Sequence, residues 1–78
     1  MAEQSLRIHS AYITLGQFLK WASIADSGME AKFLIAEGKV SVNAEIEKKR
    51  GRKLVPGDRI AVEGLAQTFV IAADSPDL

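Results

Sequence analysis

The apolar spacing of this chain changes at Gly38, and that change limits what it can fold into. Before Gly38, apolar residues recur three and four positions apart; after it, they alternate with polar ones. Leu15, Phe18, Leu19 and Ala22 fall on one face of a short helix. Thr14 is placed as its N-cap, and Gly16 weakens its first turn. Ser27, with Glu30 three positions on, marks the start of a second helix that Gly38 ends. On that helix Ala31, Leu34 and Ile35 share one face, and Met29, Phe33 and Ala36 share the opposite one. It is therefore expected to carry two apolar faces.

The alternating half begins with residues 39–42, followed by Asn43-Ala44 and residues 45–47, the pattern of a tight hairpin. Alanine stands where a two-residue turn with positive φ favours glycine, which points to a longer turn or another type. Pro56-Gly57-Asp58 is a second turn with strands expected on both sides. Residues 59–63 and 65–72 alternate and are expected to pair antiparallel. Upstream, residues 6–13 read as a strand ending near Thr14. The fold class is α+β: two short helices packed on a small, mostly antiparallel sheet. Residues 1–73 form a single domain, and residues 74–78, with Asp74, Ser75, Pro76 and Asp77, have the composition of a flexible acidic tail.

A chain of 78 residues without cysteine has neither disulfide nor zinc to staple it, so its core must be wholly apolar. No apolar run reaches the length of a membrane span, and the first residues lack a signal-peptide pattern. A monomer in the cytoplasm is the expectation. His9 is the single histidine. With no cysteine or second imidazole beside it, and no base near the serines, no metal, cofactor or catalytic group is expected, and the chain reads as a non-enzyme. The acidic pairs Glu45/Glu47 and Asp74/Asp77 read as solvent-facing.

Charge points to a partner. Lys48, Lys49, Arg50, Arg52 and Lys53 supply half of the ten lysines and arginines, although formal net charge is zero. Like charges this close repel unless a polyanion lies opposite, and nucleic acid is the commonest one. The cluster is expected to stay open and to grip phosphates as one unit.

Residues 27–43, from the capping serine through "I-x-x-G-x-V-x-V-N", and residues 54–60, with "V-x-P-G-D-x-I", resemble the S-four-type RNA-binding domain, named for a small-subunit ribosomal protein. The likeness covers roughly residues 14–63, and two ordered motifs at a fixed separation are more specific than either alone. It implies the fold known as the alpha-L motif and binding of structured RNA, ribosomal or transfer RNA, in ribosome assembly or translation. By position it implies an RNA surface of Thr14, Gln17, Ser27, Gly28, Lys32, Asn43 and the basic loop Lys48, Lys49, Arg50, Arg52 and Lys53. The family often has Arg-Leu-Asp where this chain has Thr14-Leu15-Gly16, and arginine where it has Gly28. With those two cations missing, the loop is expected to be the principal anchor.

Each of these residues also has a plainer reading. Lys32 can lay its methylenes over the core edge, Asn43 can simply form a turn, and Trp21 can close the helix pair against Met29 or Phe33 instead of stacking on a base. Two other functions stay open: a protein-interaction adaptor using the apolar helix face, and the targeting half of an enzyme whose catalytic domain is another chain.

Overall fold

Local capping sets the helix ends. In the computed structural model, which describes residues 2–73, Thr14 accepts a hydrogen bond from the backbone of Gln17, whose side chain accepts in return from the Thr14 amide. This capping box opens α1, Leu15–Trp21. Ser27 accepts from Glu30 N–H at the start of α2, Gly28–Ala36. Glu30 turns back to the amide of Asp26, one residue before the cap. Both helices finish in the paired C-terminal bonds of a Schellman motif, with Ser23 (φ 62°) and Gly38 (φ 75°) in the left-handed region.

Strands β1 (Ala2–Ile8) and β2 (Ile13–Thr14) precede the helices. After them come β3 (Val40–Val42), β4 (Glu45–Ile46), β5 (Lys53–Leu54), β6 (Arg59–Val62) and β7 (Gln67–Ala73). The main sheet has the order β1-β7-β6-β3-β4, while β2 and β5 form a separate two-stranded pair. All neighbours in the main sheet are antiparallel except β1 and β7, which run parallel from Ala2↔Gln67 to Ile8↔Ala73. The expected α+β arrangement of two helices on a mostly antiparallel sheet is the one observed.

Val40, Val42, Ile60, Val62, Phe69 and Ile71 alternate inward from the sheet to meet Leu15, Phe18, Leu19, Ala31 and Ile35 from the helices. Phe18 and Phe69 meet edge to face, with centroids 5.7 Å apart and planes at 76°.

Three expectations change. The single strand over residues 6–13 is two strands, because Ser10 donates its hydroxyl proton to the Tyr12 carbonyl and the chain bends there. The 43–44 turn is a two-residue turn after all, with φ 52° at Asn43 and 73° at Ala44. Asn43 makes it tolerable: its side chain donates to Asp58 and accepts from Arg59 N–H, bolting the hairpin to the Pro56-Gly57-Asp58 turn. The outer face of α2 packs against nothing described, since Met29 is 81% and Phe33 57% exposed. The expected acidic tail, 74–78, lies outside the described residues.

Candidate nucleic-acid interface

The loop between β4 and β5 is held onto the start of α1 by its backbone. Leu15 N–H donates to the Arg52 carbonyl at 2.8 Å and Gly16 N–H to the Arg50 carbonyl at 3.0 Å. Together with Thr14 on Gln17 N–H, they satisfy three first-turn amides that a helix leaves without internal partners. Pairing of β2 with β5, Ile13↔Leu54 and Thr14↔Lys53, fixes the same register. Gly16 leaves room for the Arg50 side chain: a Cβ there would come within 2.6 Å of Arg50 Cγ, though 3.6 Å from the Arg50 carbonyl oxygen. The residue that costs helix propensity is therefore the one that lets the Arg50 side chain lie across the helix.

Glu47 organises the loop from within. One carboxylate oxygen accepts from the Arg52 guanidinium at 2.6 Å and the other from Lys49 N–H at 3.2 Å. The hydrogen bond from Arg52, aided by the charges of Arg52 and Lys49, holds this carboxyl below the usual glutamate range. The solvent-facing reading of Glu47 is thus corrected: its side chain is only 17% exposed and clamps the loop. A carboxylate whose pKa falls on folding adds stability that is fully present above its unfolded value, about 4.3, and is lost as pH falls through the folded one. In thermal melts the Glu47→Gln variant is expected to lie slightly below the parent at pH 6, with the two curves converging toward pH 3. A constant offset would contradict this role.

The five loop cations do not act as one open cluster. Arg52 is engaged with Glu47, and Lys53 places its ammonium 4.9 Å from the centroid of the Tyr12 ring. Lys48 runs past Gly38 at the far end of α2, and Lys49 is exposed. Arg50 alone lays its methylenes across α1 at Gly16.

There it borders a groove of about 320 Å³ together with Thr14, Gln17, Lys20, Gly28 and Gly51. Gly16 and Ala31 complete the lining. Of the residues singled out by position, Thr14, Gln17, Gly28 and Arg50 converge on this groove. Ser27 caps α2 directly beside it, with a hydroxyl proton left to donate. Lys32 is exposed on α2 outside the lining, and Asn43 is committed to Asp58 and Arg59 at the hairpin tip. Gly16 and Lys20 were not anticipated. Lys20 was legible in principle, lying three residues after Gln17 and so on its face of the helix.

The groove is equipped for a phosphate. It carries two cations, Arg50 and Lys20, and no carboxylate among its lining residues. The positive end of the α2 dipole faces it at Gly28, whose amide has no hydrogen-bond partner among the described residues. The Gln17 carbonyl oxygen is occupied by the Thr14 amide and hydroxyl, so its NH₂ is the half left to donate. Gly51 adds backbone without side-chain bulk, and a Cβ there would meet nothing within 4 Å.

A family model described as "S4 domain" matches residues 6–71. A protein of Bacillus subtilis, "Probable ribosome maturation protein RlbA", is 44% identical over 66 residues, covering 85% of this chain and 93% of its own. "Putative RNA-binding protein YbcJ" of Escherichia coli is 36% identical over 64 residues, covering 82% and 90%. The solution structure of Escherichia coli YbcJ, described as revealing an αL motif involved in RNA-binding, superposes with a TM-score of 0.62 at 33% identity. It covers 90% of this chain and 87% of that one.

Proposed function

The chain belongs to the S4 domain family, and from that premise we propose that it is a non-catalytic module that binds structured RNA during ribosome maturation in the cytoplasm, acting as a monomer. The observation that carries this reading is the groove at the helix pair. Arg50, Lys20, the Gln17 amide and the positive end of α2 converge there on a space with no acid in its wall. Phosphate contacts of this kind fix where an RNA helix sits and leave its sequence unread, so recognition rests on shape. The ribosomal assignment leans on the description of the Bacillus subtilis relative, and ribosomal RNA is accordingly preferred over transfer RNA.

The test combines cells and solution. Crosslinking in cells with sequencing of the attached RNA is expected to recover ribosomal RNA. Arg50→Gln is expected to weaken binding of that RNA about tenfold, the scale of one charge-assisted hydrogen bond. Recovery of transfer RNA alone would overturn the ribosomal assignment, and unchanged affinity would overturn the role of the groove. An adaptor acting through the exposed Met29 and Phe33 would instead lose its partner on Phe33→Ser and leave RNA binding intact.

A further inference from the structure

The bend between β1 and β2 opens a second groove, of about 700 Å³, on the other side of Gln17 and Lys20. Its lining includes Ile8, His9, Tyr12, Gln17, Lys20 and Trp21, with no carboxylate. Trp21 is 48% and Tyr12 43% exposed. Trp21 was expected to close the helix pair against Met29 or Phe33. Instead the buried Leu15, Phe18, Leu19, Ala31 and Ile35 close it, and Trp21 stays at the groove wall.

We infer that this groove takes an unpaired nucleotide adjoining the RNA helix held at the Arg50 groove, its base stacked on Trp21 and its phosphate beside Lys20. The inference rests on the RNA-binding reading above and names the form of RNA that the site prefers: a duplex ending in a single-stranded extension. Three observations support a nucleotide over a peptide. Gln17 and Lys20 line both grooves, so the two lie side by side along α1. Lys53, outside the lining, stands over the Tyr12 ring and adds positive charge next to this groove. The apolar side chains of Ile8 and Ile13 line the groove together with the aromatic residues and suit the face of a base.

Trp21 is the only tryptophan, so its fluorescence reports on this groove and nowhere else. The full chain is titrated with a blunt RNA duplex and with the same duplex carrying a two-nucleotide single-stranded extension. The extended RNA is expected to bind about 5- to 150-fold tighter, the range for one stacked base, and to quench Trp21, while the blunt duplex binds without quenching. Trp21→Ala is expected to erase the difference between the two RNAs and leave blunt-duplex affinity unchanged. The quenching experiment needs no variant and so stands even if that substitution disturbs folding. Equal affinities with unquenched Trp21 would overturn the inference. Failure of both RNAs to bind would overturn the RNA-binding premise instead.

Discussion

Raising salt from 50 to 200 mM is expected to weaken RNA binding by about 40- to 500-fold, the loss that follows from neutralising three to five phosphates of a duplex-like RNA. The count comes from the distribution of charge around the helix pair. Arg50 and Lys20 face the groove, and Lys48 and Lys49 are exposed on the same loop. Arg52 is already neutralised by Glu47, and Lys53 is partly engaged by Tyr12. Four contacts is therefore the central expectation. Replacing Lys48, Lys49 and Arg50 together by Glu is expected to abolish measurable binding at 200 mM and to lower the salt slope by about three. A flat salt response in the parent chain would refute an interface built on phosphates and favour the adaptor.

Phe18→Ala is expected to cost about 3–5 kcal/mol of stability, as truncation of a fully buried phenylalanine does. Phe18 is 0% exposed and joins α1 to the sheet through its edge-to-face contact with Phe69. Removing the ring leaves a void between helix and sheet that flanking residues, fixed by caps and strand register, cannot easily fill. At the usual stability per residue, a domain of this size holds roughly 4–12 kcal/mol in all. The variant should therefore be largely unfolded if the total lies at the lower end. Phe33→Ala makes the same chemical change at a 57% exposed position and is expected to stay within about 0.5 kcal/mol of the parent. Urea unfolding of both variants decides the matter, since similar midpoints would mean that burial of Phe18 contributes nothing special.

What was legible in the sequence is what neighbouring residues decide between themselves. Thr14, Ser27 and Gly38 announce helix ends because capping bonds span only a few residues. The alternation at Val40, Val42, Ile60 and Val62 announces strands because one face is buried. The extent of β1 was not legible. Among the described residues its only strand partner is β7, and nothing in residues 2–8 encodes a pairing with residues 67–73.

The same distinction holds at the site. Thr14, Gln17, Gly28 and Arg50, named by position from the family resemblance, line one groove. Local reading missed that Gly16 exists to admit Arg50, that Glu47 clamps Arg52, and that the basic run divides among α1, Tyr12 and the far end of α2. The approach of Arg50 to Gly16 and of Lys53 to Tyr12 depends on the loop folding back onto residues more than thirty positions earlier in the chain, while the Glu47–Arg52 clamp spans five residues within the loop itself. Charge density in one dimension overstated how many of the five cations would face one ligand.

The parallel pairing of β1 with β7 also bears on the order in which the domain assembles. Helices α1 and α2 and the β3–β4 hairpin involve near neighbours and can form while the chain is still emerging from the ribosome. β1, made before them, has no strand to join until β7 has been synthesised, so the sheet closes by a contact of very high sequence separation. Until then the unpaired backbone groups of β1 stay exposed, and the interval before closure is when this domain is most open to misassociation.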